Sequence, residues 1–140
     1  KKPNKSYNLF LLLNKFGISS GLTKIINTIR DKKINQVKKI TNFKYLYIYC
    51  KSKYSSALIS ILVSKNIKIY GIVDDSYVFR KGYLKGNRII NSKLFFKENK
   101  DCLKDVGVMI THQKVNISDK IFKFLLKNKV SRKQIVSIKF

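Results

Sequence analysis

The sequence has few of the residues on which catalytic and metal sites depend. Among 140 residues there are 7 acids, 2 cysteines and 1 histidine. Cys50 and Cys102 form no CxxC pair, and His112 alone cannot complete a tetrahedral zinc site with them. We expect both cysteines to be free thiols in a reducing compartment.

The acids are scattered, and Asp74-Asp75 is the only adjacent pair. General acid–base catalysis needs two carboxylates, or a histidine with a carboxylate or nucleophile, held close together. His112 could meet Cys50 or Ser118 in space, but a lone histidine among lysines is more often solvated or stacked on RNA. We therefore predict no enzyme, no catalytic residue, no metal and no cofactor.

Long apolar runs are also lacking. The longest near the start, LFLLL at residues 9–13, is far too short to span a bilayer, and we expect no membrane partner. The first residue is Lys1 rather than methionine, so we expect the true N-terminus to be missing. A targeting peptide is then neither visible nor excluded.

Positive charge is what the sequence has in excess. Lys and Arg number 31 and the formal net charge is +24, whereas solubility asks for only about 2 to 8 charges on a small domain. Such a surface favours a polyanion, because each cation that meets a phosphate releases a counterion. Most of these cations are lysines, which suit the phosphate backbone better than base edges. We predict nucleic acid as the main partner, and read the abundance of Lys, Ile and Asn as the mark of an AT-biased genome.

Hydrophobic periodicity predicts both helices and strands, in an order that does not alternate strictly. Four apolar residues at helical spacing predict a helix from about Leu22 to Asp31. Further along, the patterns predict strands at 44–50, 67–73, 93–96, 105–111 and 134–140, helices at 52–66 and from about 116, and a hairpin or loop with Gly82 and Gly86 as turn candidates. Lysines are interleaved with aromatic residues in KYLYIYCKSKY, residues 44–54, and in KLFFKENK, residues 93–100, and such interleaving can stack bases. For strand tyrosines, one buried face is the simpler explanation.

This order predicts an α+β fold of two small packed subdomains, with helix-strand-helix-strand-hairpin followed by strand-helix-strand. We assign residues 1–19 to a basic N-terminal extension, 20–76 to an N-terminal α/β subdomain, and 77–140 to a C-terminal, mostly β subdomain with one helix.

Residues 44–75 also allow a different interpretation. They read as β-α-β with acids after the second strand, which is the layout of a Rossmann dinucleotide site. The turn at residues 50–55 has no glycine, although that mechanism needs glycines for backbone amides to approach a pyrophosphate. Asp74 and Asp75 are then more simply turn residues. A degenerate Rossmann-like domain that binds a nucleotide or nucleotide-sugar stays open as the alternative.

Three segments together resemble the family of small-subunit ribosomal protein eight, the bacterial-type S-eight family. GLTKIINT at 21–28 is similar to that family's first-helix motif, close to MLTRIRNA. YCKSKYSSALISILVSKNIKIY at 49–70 resembles its strand-to-helix segment, with Ser52-Lys53 at the helix start. MITHQKV at 109–115 resembles its signature I-I-S-T-S-K-G, with Val115 in place of the glycine. The resemblance covers residues 20–140 and indicates a divergent mitochondrial member.

The resemblance implies a structural component of the small ribosomal subunit that binds and stabilises the central domain of small-subunit rRNA. Its partners would be this rRNA and neighbouring small-subunit proteins, in the mitochondrial ribosome or, alternatively, in a plastid or the cytoplasm of an AT-rich organism. The residues that it assigns to RNA binding are Thr23, Lys24, Asn27, Arg30, Ser52, Lys53, Thr111, His112, Gln113 and Lys114.

Overall fold

The structure, a computed structural model, describes residue 38, residues 40–76 and residues 82–140. These residues form helices and one mixed sheet of six strands, which confirms the predicted α+β class. The predicted extension at 1–19 and the predicted helix from Leu22 lie outside the described residues. The elements are β1 (Tyr45–Tyr49), α1 (Lys53–Ser64), β2 (Gly71–Val73), β3 (Gly82–Leu84), β4 (Asn87–Ile90), α2 (Ser92–Glu98), β5 (Val106–Ile110), α3 (Val115–Lys127) and β6 (Ile135–Ser137), with short 3₁₀ turns at Leu103–Asp105 and Arg132–Gln134.

The strands of the sheet are added on both sides of the central strand β1. Its order is β3-β4-β2-β1-β5-β6. All neighbours are parallel except β3 and β4, which form an antiparallel hairpin. The chain runs from β1 through β2 to β4 and then crosses to β5, on the other side of β1. Open parallel sheets with this reversal bind ligands where the strand order switches, beyond the carboxyl ends of the strands.

Alternate residues of β1 supply the two faces of the sheet, as their pattern predicts. Leu46 and Ile48 pack in one cluster with Leu58 of α1. Tyr47 and Tyr49 point the other way and pack in a second cluster, which contains Phe95 of α2 and Leu125 of α3. The sheet is thus covered on both faces by helices, which is why its central strands are apolar throughout.

Polar groups inside the second cluster have partners. The Tyr47 hydroxyl donates to Glu98 Oε1 at 2.7 Å and accepts from Asn99 Nδ2 at 3.1 Å. Glu98 also pairs with Arg88, whose Nε donates to the Tyr70 carbonyl at 3.1 Å. Burial raises the pKa of Tyr47 to about 12. This tyrosine is therefore a buried structural residue and not a base-stacking platform.

The predicted strand at residues 93–96 is wrong, because these residues form part of the helix α2. Asn91 caps this helix by accepting from the Leu94 amide at 2.8 Å. Phe95 is buried against the sheet, whereas Leu94 is 40% exposed. A run of three apolar residues does not distinguish a short strand from one helical turn, and here the capping residue decides. Residues 77–140 therefore contain a second α-helix, where one was predicted.

The remaining predicted elements are found with modest shifts at their ends. Strand 67–73 is hydrogen-bonded as a strand only at Gly71–Val73. Gly86 forms the hairpin turn with Lys85, both at positive φ, whereas Gly82 begins β3. Ser52 caps α1 as expected, accepting from the amides of Tyr54 and Ser55. Both predicted subdomains contribute strands to the one sheet: β1 and β2 from 20–76, and β3 to β6 from 77–140.

Gly107 of β5 is a position where an added side chain would crowd the core. A Cβ there would lie 2.9 Å from Leu46 Cδ2 and 3.2 Å from the Ile40 carbonyl oxygen. We expect Gly107→Ala to lower the free energy of unfolding by about 1–3 kcal/mol, since added volume strains a packed core. Urea denaturation followed by circular dichroism measures this.

The matched control is Gly71→Ala in β2, whose Cβ would meet its nearest atom, on Tyr47, at 3.4 Å. This variant should lose clearly less stability than Gly107→Ala. Equal losses in the two variants would contradict the close approach of β5 to Ile40.

Candidate functional site

A cavity of about 780 Å³ lies at the carboxyl edge of the sheet, between the loops that follow β1, β2 and β5. One face of α3 forms its remaining wall. This is the place where the strand order reverses, so the topology and the cavity identify the same candidate site. The residues that line it include Cys50, Lys51, Ser52, Lys53, Asp74, Asp75, Thr111, His112, Gln113, Lys114, Ile117, Lys120, Ile121 and Phe124.

The turn from β1 into α1 contains a residue with an unusual backbone conformation. Cys50 has φ = 93°, a region that L side chains rarely adopt and that glycine adopts freely. Its amide still belongs to the sheet, donating to the Val73 carbonyl at 2.7 Å. The chain therefore turns here through a backbone conformation that favours glycine, with a cysteine in the strained position.

The thiol of Cys50 is not activated. Burial, with the nearby charges of Asp74 and Asp75, raises its pKa to about 12. At neutral pH the sulfur thus stays protonated, whereas a nucleophilic or metal-binding cysteine needs the thiolate. Among the described residues, no three His, Cys, Asp or Glu side chains are grouped so that they could hold a metal ion.

Asp74 and Asp75 hold neighbouring loops together. Asp74 accepts from the Lys51 amide at 2.6 Å and, in an Asx turn, from the Ser76 amide at 2.9 Å. Asp75 accepts from the Tyr49 hydroxyl at 2.9 Å and from the Ser92 amide at 2.7 Å. The prediction that both are turn residues describes Asp74 well. The hydrogen bonds that these carboxylates accept from the β1 side and from α2 could not be seen in the sequence.

The loop after β5 directs two of its polar side chains inward. Thr111 is fully buried, and its hydroxyl lies 3.2 Å from the carbonyls of Tyr49 and Cys50. Gln113 Nε2 donates to the carbonyls of Thr111 and Ile138, and Gln113 Oε1 accepts from the Phe140 amide at 2.8 Å. These groups fasten the loop to β1 and to the C-terminal segment, so they are engaged within the protein.

His112 is the polar residue of this loop whose side chain has a hydrogen-bonding nitrogen without a partner in the described part of the chain. Its Nδ1 accepts from the Lys114 amide at 3.2 Å, so the neutral ring carries its proton on Nε2. Nε2 has no hydrogen-bond partner among residues 40–76 and 82–140. Ser118, the other possible partner, instead donates to the Val115 carbonyl and accepts from Lys139. The structure therefore shows no His–Ser pair.

Val115 stands where the resembled signature has glycine. It is the first residue of α3 and is absent from the described residues with positive φ. The loop thus passes directly into a helix at this point, without the left-handed turn that a glycine would permit. Lys114 is the N-cap of α3, and its side chain makes no capping hydrogen bond.

The wall formed by α3 combines cations with an apolar stripe. Ile117, Ile121 and Phe124 are spaced i, i+4 and i+7 and therefore share one face of the helix. Lys114 and Lys120 flank them and are exposed. Across the cavity, Lys51 and Lys53 are exposed at the start of α1. The crevice can accept a ligand that is both anionic and partly apolar.

The structure brings together six of the ten predicted RNA-binding residues, since Ser52, Lys53 and the four residues 111–114 all line this cavity. The other four, Thr23, Lys24, Asn27 and Arg30, lie outside the described residues. Sequence reasoning weighed Cys50 only as a partner of His112, and it did not assign Cys50, Lys120 or the stripe of Ile117, Ile121 and Phe124 to a binding site. The helical spacing from Lys114 onward was a signal that could have revealed the stripe.

No family model, curated protein or solved structure matches this chain. Within residues 40–76 and 82–140, no helix is both long and apolar enough to cross a bilayer.

The strain at Cys50 is testable by comparing Cys50→Gly with Cys50→Ala, since both remove the thiol. Alanine is normally the more stable residue, by about 0.5–1 kcal/mol in regular elements. At φ = 93° we expect the order to invert, with Cys50→Gly more stable than Cys50→Ala by about 1 kcal/mol. Urea denaturation of both variants measures this difference, and a more stable alanine variant would refute the left-handed turn.

Proposed function

We propose that the chain binds a nucleotide or nucleotide-sugar in the crevice at the carboxyl edge of its sheet. One observation carries the proposal: the cavity lies where the loops after β1 and β5 diverge, at the switch point of a largely parallel sheet. Ligand sites of open α/β sheets occur at this point because two adjacent loops leave the sheet in opposite directions there.

The chemistry of the lining supports this type of ligand. Four lysines border the cavity and can meet phosphate oxygens as point charges. The apolar stripe of α3 offers a surface for a base or another ring, with Phe124 37% exposed. A ligand with a ring at one end and phosphates at the other uses both features.

The proposal is for binding alone. The described lining offers no activated thiol, because the pKa of Cys50 is raised, and its two carboxylates are hydrogen-bonded to backbone amides. Catalysis by positioned acids and bases needs groups that can exchange protons with a substrate. We therefore propose binding in the crevice and assign no chemical step to it.

The test is thermal unfolding of the full chain with and without nucleotides. A ligand at about one hundred times its Kd should add about 2.7 kcal/mol to the free energy of unfolding. We expect the Tm to rise with millimolar UDP, ADP or UDP-glucose, and Ile117→Trp, which fills the cavity wall, to abolish the rise. The control is Val63→Trp on α1, where the native side chain is 65% exposed and outside the cavity lining. No rise with any nucleotide in the unsubstituted chain would refute the proposal.

A second candidate is the structural, rRNA-binding role that the family resemblance implies. The observation that favours it is the net charge of +24, which far exceeds what one small nucleotide would need. Small-subunit rRNA and neighbouring ribosomal proteins would be the partners, and the mitochondrial ribosome the proposed location. In this case Lys53, His112 and Lys114 are better placed to reach RNA than Thr111 and Gln113, which are engaged inside the protein.

Sedimentation separates the two candidates. A ribosomal component should co-sediment with small subunits from a native extract and be released by ribonuclease or high salt. Lys114→Ala should then lower the salt slope of rRNA binding by about one unit, because one phosphate contact is lost. Lys123→Ala, on α3 outside the cavity, serves as the control. A protein that sediments alone, with or without ribonuclease, would contradict the ribosomal role.

A further inference from the structure

We infer that the crevice holds a nucleoside diphosphate group on its α3 side, with the diphosphate on Lys114 and Lys120 and the base against Phe124. The inference rests on the proposed nucleotide-binding function and deepens it. It differs from the arrangement that a β-α-β unit suggests, in which the turn after the first strand binds the phosphates.

The turn after β1 has little capacity left for an anion. The Lys51 amide donates to Asp74 Oδ2 at 2.6 Å, and the Ser52 amide donates to Ser55 Oγ at 2.7 Å. The amides of Tyr54 and Ser55 both donate to Ser52 Oγ, at 3.1 and 3.3 Å. A phosphate bound there would have to displace hydrogen bonds that the protein already makes.

On the β1 side of the crevice, carboxylates stand beside the cations. Asp74 Oδ2 lies against the Lys51 amide, and Asp75 lies beside it at the end of β2. Both residues line the cavity. Two carboxylates next to the turn repel an approaching diphosphate and offset the attraction of Lys51 and Lys53 on the same side.

The α3 side has the opposite character. Lys114 and Lys120 line the cavity and are exposed, and no carboxylate lies within 4.0 Å of either ammonium group among the described residues. Their charges are therefore available to a ligand. His112, which also lines the cavity, adds an Nε2 proton donor, since its Nδ1 accepts a hydrogen bond from the Lys114 amide.

The length of the helix wall suits a nucleoside diphosphate. With a rise of about 1.5 Å per residue, about 15 Å of helix separates Lys114 from Phe124. Lys120 lies between them, and Ile117 and Ile121 supply apolar surface along the same face. A base packed on Phe124 would thus place its ribose near Ile121 and its two phosphates within reach of the flexible lysine side chains.

The experiment is isothermal titration of the full chain with ADP, UDP, the matching nucleosides and inorganic pyrophosphate. The variant Lys114→Ala/Lys120→Ala should bind ADP or UDP about tenfold or more weakly, because two charge-assisted contacts are lost. Its affinity for the nucleosides should be unchanged. The matched control, Lys123→Ala/Lys127→Ala, removes the same charge from exposed positions of α3 outside the cavity and should stay within twofold of the unsubstituted chain.

A second variant tests the base contact. Phe124→Ala should weaken nucleoside and nucleoside diphosphate binding by the same factor, several-fold, and leave pyrophosphate binding unchanged. Equal ADP affinities for the Lys114/Lys120 variant and its control would overturn the assignment of the phosphates while leaving nucleotide binding intact. A loss of pyrophosphate affinity in Phe124→Ala would overturn the assignment of the base. If the unsubstituted chain binds no nucleotide, the inference falls together with the proposed function.

Discussion

The central position of β1, paired in parallel with β2 on one side and β5 on the other, is the constraint on which the rest of the structure depends. Parallel neighbours on both sides require helical crossovers, and these cover both faces of the sheet. The same arrangement brings the loops after β1 and β5 to one edge, where they diverge and leave a cavity. The candidate site is thus a product of the strand order and would exist with many different side chains.

The polar residues at this edge divide into two groups by what they bind. Asp74, Asp75, Thr111 and Gln113 make hydrogen bonds within the protein that tie the loops to one another. The ammonium groups of Lys114 and Lys120 and the Nε2 of His112 are available to bind another molecule. Short side chains near the sheet are fully engaged because unpaired polar groups cost free energy when buried. The longer lysines reach past them to solvent, which leaves recognition to charge and to the apolar face of α3.

Features that depend on neighbouring residues could be predicted from the sequence, whereas features that depend on contacts distant in sequence could not. Strand Tyr45–Tyr49 and helix Lys53–Ser64 were predictable, because alternation and the Ser52 cap are local signals. The sequence marked the Ser-Lys and Thr-His-Gln-Lys segments as separate RNA-binding candidates, and only the structure shows that both line one cavity. The helical state of residues 93–96 was harder to predict. It depends on the Asn91 cap and on the burial of Phe95 against the sheet. The single sheet order and the roles of Asp74 and Thr111 come from contacts distant in sequence, for which the chain carries no local pattern.

Because Tyr47 and Tyr49 carry hydroxyls, the register of β1 is fixed by hydrogen-bond demand as well as by packing. On the α2 face their hydroxyls meet Glu98 and Asp75. A slip of one residue would turn both tyrosines toward the aliphatic side chains of α1, such as Leu58, where they would find no acceptor. Such misaligned pairings are therefore poor competitors during folding. The two tyrosines thereby protect the alignment of the three strand ends that surround the crevice.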